Sequence, residues 1–88
     1  IHPALLPAYG GKGMYGMSVH KAVKENSEII SGMTIHLVNE NYDEGAIIFQ
    51  GRTDIVPNDS AEDIAAKVLK LEHEYYPMVV EGLVTAQL

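Results

Sequence analysis

Two residues of this sequence could exchange protons near neutral pH. His2 lies in a short segment that Pro3 and Pro7 stiffen. An imidazole takes up or releases a proton close to neutrality, so His2 could act as a general acid or base. Asp43 lies beside a glycine turn, and a carboxylate within hydrogen-bonding distance would favour the imidazolium and fix its orientation. The residues alone favour a structural histidine and an ordinary Asp-x-Gly turn.

The segment that carries His2 is predicted to lead through a loop into a short helix. Two prolines within residues 1–9 exclude a helix interior or a central strand, so we expect an ordered loop there. The glycine-rich residues 10–16 predict a mobile loop. Ser18 is expected to cap a helix over residues 19–25.

Asp43 is predicted to lie in the wide turn of an antiparallel hairpin. Apolar and polar residues alternate over 33–38, and residues 46–50 form a short apolar run. These patterns predict two paired strands within about 33–56. The second strand is expected to continue through residues 53–56.

A long helix is predicted to follow the hairpin, over about 60–83. Ser60 and Asp63 resemble a capping box at its start. Pro77 is expected to kink this helix or to end its first segment. Its apolar stripe consists of Ile64, Val68, Leu71, Tyr75 and Val79.

Composition excludes several classes of protein. The formal net charge is −6, so the sequence lacks the basic surface typical of nucleic-acid-binding proteins. It has no cysteine, and therefore neither disulfides nor thiolate metal sites. No apolar run approaches the ~20 residues of a membrane-spanning helix, and no secretion signal is visible. We therefore expect a cytoplasmic protein that binds neither nucleic acid nor membrane, although the sequence opens at Ile1 and any upstream targeting segment lies outside it.

Several motifs, in this order along the chain, resemble those of the folate-dependent formyltransferases. The family patterns are H-P-S/A-L-L-P, T-x-H-x-V and D-x-G-x-I-I-x-Q. Residues 72–73 and 76–77 also resemble the late helix of glycinamide ribonucleotide formyltransferases, and the resemblance extends from residue 1 to about 83. The matching segments are His2-Pro3-Ala4-Leu5-Leu6-Pro7, Thr34-Ile35-His36-Leu37-Val38, Asp43-Glu44-Gly45-Ala46-Ile47-Ile48-Phe49-Gln50, Glu72-His73 and Tyr76-Pro77.

The resemblance implies transfer of a formyl group from 10-formyltetrahydrofolate to the amine of glycinamide ribonucleotide, a step of purine synthesis. The family's catalytic set is an Asn, a His and an Asp. His2 and Asp43 match the last two, whereas the Asn position falls immediately before Ile1. Protonated His2 and the Asn would stabilise the tetrahedral oxyanion, while Asp43 would hold His2 and help relay the proton. The family requires no metal and no covalent intermediate.

The resemblance also implies the substrate contacts. Glu72 matches a contact to the ribose, and His36 and Thr34 match residues that support the site. Leu69 departs from the polar or basic residue that some relatives place near the phosphate. The loop of residues 10–16 is a few residues longer than in some relatives, and its flexibility suits a lid over the folate, although glycine-rich loops are often only connectors. The cradle of the folate pterin matches Asn39, Glu40, Asn41, Tyr42 and Asp43.

As a whole, the chain is expected to be the C-terminal part of a single formyltransferase domain. The implied architecture is an α+β fragment of a larger, Rossmann-like α/β fold, with the N-terminal phosphate-binding half outside residues 1–88. The hairpin and the long helix carry more apolar surface than 88 residues readily enclose. We therefore expect the chain alone to be inactive, and to self-associate or to bind its N-terminal half.

Three alternatives fit parts of the sequence. Formyltetrahydrofolate hydrolases usually read H-H-S-F-L-P in the first motif, so Pro3 and Leu5 favour a transferase. Amino-sugar and methionyl-tRNA formyltransferases share the His and the Asp, but the tRNA enzyme normally continues into a basic domain, and this chain is acidic. A non-catalytic folate- or protein-binding domain belongs to a different class, and the retention of both His2 and Asp43 disfavours it.

Overall fold

Two helices flank a two-stranded antiparallel sheet. The computed structural model describes residues 1–37 and 46–86. In the sheet, Ile30 lies opposite Asp54 and His36 lies opposite Ile47. The predicted hairpin and long helix are confirmed, as is the α+β class. The elements are α1 (Met17–Glu25), β1 (Ile30–His36), β2 (Ile47–Asp54) and α2 (Ala61–Ala86).

Strand β1 is covered on both of its faces. Residues 31–35 are all buried, so the alternation that predicted the strand does not produce one buried and one exposed face. The N-terminal segment covers one of these faces, because the Thr34 side chain bonds to the backbone of Ala4 and Leu6. A side chain at Gly32 would collide with the carbonyl oxygen of Gly51 and lie 2.8 Å from a methyl carbon of Leu5. Only glycine therefore allows these segments to approach so closely.

The core lies where α1, the sheet and α2 meet. α2 packs on α1 and on both strands, and the rings of Phe49 and Tyr75 join β2 to α2 with centroids 5.2 Å apart. Full burial of one aliphatic side chain stabilises the fold by roughly 1.5–3 kcal/mol. The buried residues that form this core cluster are Ala4, Val19, Val23, Met33, Ile35, Ile55, Ile64 and Val68.

Helix α1 begins earlier than predicted, and Ser18 does not cap it. The N-cap is Gly16, whose φ of 55° is left-handed and whose side chain cannot cap. Ser18 lies inside the first turn, so its predicted role is wrong. The burial of Val19 and Val23 fixes which face of the helix points inward, and Gly16 allows the chain to reverse one residue before Met17.

Helix α2 begins with the predicted capping box. The Asp63 backbone N–H donates to Ser60 Oγ over 3.0 Å, and the Ser60 N–H donates to Asp63 Oδ2 over 2.9 Å. The helix continues through Pro77 to Ala86, so it does not end at the proline. Pro77 lacks the N–H that would bond to the carbonyl four residues earlier. On either side of it, Tyr75 packs on Phe49 and Val79 packs against the core. No helix in the described ranges is long and apolar enough to cross a membrane.

Asp59 ties the start of α2 to the end of β2. Its Oδ2 accepts the Val56 N–H over 3.0 Å and the Lys67 ammonium over 2.5 Å. The Lys67 hydrogen bond is the main cause that lowers the pKa of Asp59, followed by the Val56 N–H. Because the folded-state pKa is depressed, this contribution is complete above the unfolded-state pKa and is lost as pH falls through the folded-state value.

The two serines give a matched test of capping in the full-length protein. Ser60→Ala should lower the free energy of unfolding by about 1 kcal/mol, because it removes an acceptor from the first turn of α2. Ser18→Ala, the same change inside α1, should alter it by less than about 0.5 kcal/mol. Urea unfolding of both variants measures the difference. Equal losses would contradict the assigned caps.

Candidate active site

Two reciprocal backbone hydrogen bonds hold His2 against β1. The His2 N–H donates to the Thr34 carbonyl and the Thr34 N–H donates to the His2 carbonyl, each over 2.8 Å. His2 is only 3% exposed. The histidine predicted to exchange protons therefore sits at a rigid position on the edge of the sheet.

The hydroxyl of Thr34 joins three segments. It donates to the Ala4 carbonyl over 2.6 Å and accepts the Leu6 N–H over 3.1 Å. The Gln50 amide donates both to this hydroxyl, over 3.1 Å, and to the Leu6 carbonyl, over 2.9 Å. Thr34 thus lies directly beneath the loop that carries His2. Gln50 was not singled out as a site residue, and its signal was its place as the last residue of the D-x-G-x-I-I-x-Q pattern.

A second contact orients the ring of His2. Its Nε2 lies 2.7 Å from the Tyr9 carbonyl oxygen. A carbonyl only accepts, so Nε2 carries a proton in both the neutral and the charged imidazole. Nδ1 is therefore the ring atom at which the protonation state changes while this bond persists.

Two adjoining cavities open beside this loop, sharing Pro3 and Gly16 in their walls. The first, of ≈ 450 Å³, lies between His2 and the glycine loop. The second, of ≈ 310 Å³, lies between α1 and α2 and includes His20, Leu69 and Glu72. Two sequence-predicted residues, His2 and Glu72, thus line neighbouring spaces. The proposed lid role of residues 10–16 stays a prediction.

Burial shifts the pKa values of two groups in the second cavity, each towards its neutral form. It lowers the pKa of His20, and the charge of His2 lowers it further. Nδ1 of His20 has no hydrogen-bond partner within the described residues. Burial also raises the pKa of Glu72. His20 was not predicted as a site residue, and its only signal was a polar side chain on the apolar face of α1.

The remaining predicted residues fall partly outside the described ranges. His36 ends β1, half-buried, with Nδ1 lying 3.0 Å from the Leu37 carbonyl oxygen. The expected approach of His2 and Asp43 therefore stays a prediction. No group of three histidine or carboxylate side chains in residues 1–37 and 46–86 could hold a metal ion. The predicted residues outside these ranges are Asn39, Glu40, Asn41, Tyr42 and Asp43.

Comparison with known proteins shows which family has this hairpin, this histidine loop and this long helix. The family described as Formyl transferase matches residues 1–80. The chain belongs to that family.

Individual members of the family show a closer similarity to this chain. The chain is 55% identical over 83 residues to the chloroplastic phosphoribosylglycinamide formyltransferase of Vigna unguiculata, covering 94% of this chain and 27% of that protein. It is 40% identical to the phosphoribosylglycinamide formyltransferase of Bacillus subtilis, covering 94% of this chain and 40% of that one. The chain thus spans between about a quarter and two fifths of these relatives.

Solved structures agree in fold. The phosphoribosylglycinamide formyltransferase of Bacillus halodurans superimposes with a TM-score of 0.82 at 32% identity, over 94% of this chain and 40% of that one. The enzyme of the same name from Anaplasma phagocytophilum superimposes with a TM-score of 0.80 at 33% identity, over 90% of this chain and 35% of that one. The described hairpin and helix therefore correspond to one part of a larger protein.

Removing the Thr34 hydroxyl should loosen the His2 loop. Thr34→Val in the full-length protein leaves the buried Leu6 N–H without its acceptor, so we expect a loss of about 2 kcal/mol in the free energy of unfolding. Hydrogen exchange at the Leu6 amide should also become faster, as mass spectrometry or NMR would register.

Thr53→Val is the matched control. It makes the same change on β2, where the Thr53 hydroxyl makes no hydrogen bond within residues 1–37 and 46–86. We expect a change in the free energy of unfolding of less than about 0.5 kcal/mol. If the two valine variants were equally stable, Thr34 would not hold the loop as described.

Proposed function

We propose that the chain is the C-terminal part of a formyltransferase domain that acts in purine biosynthesis. The whole enzyme would move a formyl group from 10-formyltetrahydrofolate to the amine of glycinamide ribonucleotide. The observation that carries the proposal is the position of His2, pinned to β1 and lining a cavity that adjoins the one containing Glu72. Relatives that share the loop and the helix bear the name of this enzyme.

In the proposed reaction the acceptor amine attacks the formyl carbon. A nitrogen–carbon bond forms and the carbonyl becomes a tetrahedral oxyanion, which protonated His2 stabilises together with an Asn supplied from upstream of Ile1. Each such donor typically lowers the barrier by ~3 kcal/mol. Collapse breaks the bond from carbon to the folate nitrogen, and the amine proton passes to that nitrogen. Asp43 holds His2 and helps in this relay.

Substrate contacts are divided between the described helix and the hairpin turn. Glu72 is half-buried in the second cavity and would bind the ribose hydroxyls. Residues 39–43 would form the cradle of the pterin, with His36 supporting it from the end of β1. Leu69 offers no charge to a phosphate, so the phosphate site belongs to the N-terminal half.

The proposal also covers the compartment of the enzyme, its need for a metal and its partners. We propose a cytoplasmic enzyme that uses no metal and binds neither nucleic acid nor membrane. Plant relatives such as those of Vigna unguiculata and Arabidopsis thaliana are chloroplastic by name, whereas the names of the bacterial relatives give no compartment. Imaging of the full-length protein with a fluorescent tag tests the location.

A formylation assay on the full-length protein tests the activity. Among several acceptor amines, glycinamide ribonucleotide should give the highest kcat/KM. Asp43→Asn should lower turnover at least ~100-fold, the scale of losing a positioned proton relay. Asp54→Asn is the matched control, because Asp54 lies exposed at the far end of β2, and it should keep near-normal turnover.

Three results would redirect the proposal. Near-normal turnover of Asp43→Asn would remove Asp43 from the catalytic set. Release of formate faster than transfer to any amine would indicate a hydrolase. Folate binding without turnover of any acceptor would indicate a binding domain.

The exposed apolar surface supports a second expectation, about the isolated chain. Leu37 and Ile47 at one end of the hairpin are exposed, as are Met78 and Val84 late in α2. Apolar surface of this kind usually finds a partner, since its burial is worth about 25 cal/mol per Å². We propose that residues 1–88 alone self-associate or bind the N-terminal half.

Light scattering at micromolar concentration tests this expectation. The isolated chain should form dimers or larger species and have no formyltransferase activity. Addition of the separately produced N-terminal half should displace self-association and restore activity. A soluble, active monomer of residues 1–88 would contradict both parts.

A further inference from the structure

Tyr9 has an unusual backbone conformation for its residue type. Its φ is 57°, in the left-handed region, whereas the glycine that follows it, Gly10, has no positive φ. Aromatic residues adopt this conformation rarely, and they keep it only where the surrounding structure holds them. The chain therefore reverses at the tyrosine although a glycine stands next to it.

The side chain of Tyr9 explains how this conformation is held. The phenol donates to Glu28 Oε2 over 3.1 Å, and the ring packs against the buried core. Burial, followed by the bond to Glu28, raises the pKa of Tyr9, so the phenol stays protonated and able to donate at neutral pH. A glycine in this place could adopt the same φ but would lack both contacts.

The same backbone conformation aims the Tyr9 carbonyl at the ring of His2. The distance from Nε2 to this oxygen is 2.7 Å. Neutral imidazole otherwise exists as two tautomers, and a carbonyl acceptor selects the one that is protonated on Nε2. Proton exchange at His2 is thereby confined to Nδ1.

We propose that Tyr9 is a positioning residue: its carbonyl sets the tautomer of His2, and its phenol, anchored to Glu28, keeps that carbonyl in place. The effect on turnover rests on the proposed function, because it assumes that His2 takes part in formyl transfer. The effect on the tautomer does not.

NMR of the full-length protein with ¹⁵N-labelled histidine tests the proposal directly. The His2 signals are assigned by their loss in His2→Gln. Wild-type protein should contain neutral His2 only as the Nε2–H tautomer. Tyr9→Phe removes the phenol hydroxyl, and Glu28→Ala removes its acceptor at an exposed position where folding is tolerant. Both variants should show a mixture of the two tautomers.

Kinetics of the same proteins test the link to catalysis. We expect kcat to fall about 3- to 10-fold in Tyr9→Phe and in Glu28→Ala, the range for one hydrogen bond, with KM changed less than about twofold. Tyr76→Phe removes an equivalent phenol hydroxyl from α2 and should change neither the tautomer nor kcat.

Each contrary result would overturn one part of the proposal about Tyr9. An Nδ1–H tautomer in wild-type protein overturns the role of the carbonyl. Unchanged tautomers in both variants overturn the role of the Glu28 anchor. A shifted tautomer with kcat equal to that of Tyr76→Phe overturns the catalytic role of Tyr9. If the enzyme formylates another amine, the tautomer result still stands, so the failure of the proposed function is recognised separately.

Discussion

The buried hydroxyl of Thr34 is the interaction on which the rest of the site depends. Through this one group and its own backbone, Thr34 contacts His2, Ala4, Leu6 and Gln50. The residue is completely buried, where an unmade hydrogen bond costs about 1–3 kcal/mol. Because each of these partners would lose its bond if the loop moved, the loop has only one favourable position on the sheet.

That constraint explains why a proline-rich loop can hold the His2 side chain accurately. Apolar burial alone is non-directional and would allow residues 1–9 to slide along β1. Hydrogen bonds require distance and angle together, so they fix the register of the loop. The close contact at Gly32 has the same effect, because a larger residue there would push Leu5 and the loop away. Helix α2 then supports the sheet from its other side through Met33 and Tyr75.

The parts that could be predicted from sequence depend on near neighbours along the chain. The capping box of Ser60 and Asp63 spans three residues, and the apolar stripe of α2 repeats with the helical period, so both were readable. The prediction for Ser18 was wrong because a capping residue must stand immediately before the first helical residue. Burial of Val19 and the positive φ of Gly16 determine that the helix starts at Met17. The turn at Tyr9 was equally unreadable, since tyrosine carries no preference for a positive φ.

The site residues that escaped prediction act through distant contacts. Gln50 bonds to a carbonyl 44 positions earlier in the chain, and no local pattern encodes such a pairing. His20 becomes relevant only because α1 packs against α2 beside Glu72. His2 was named in advance from its residue type and its proline-flanked segment, and Thr34 through the family motifs, whereas their hydrogen bonds follow only from the folded chain.

Two neighbouring imidazoles in one site raise the question of which of them exchanges protons. Burial and the nearby charge of His2 both disfavour the protonated form of His20, so the pair resists becoming doubly charged. His2 lines the larger cavity and keeps a fixed donor bond through Nε2. The neutral form of His20 is therefore favoured, and in the proposed reaction His2 carries the proton exchange.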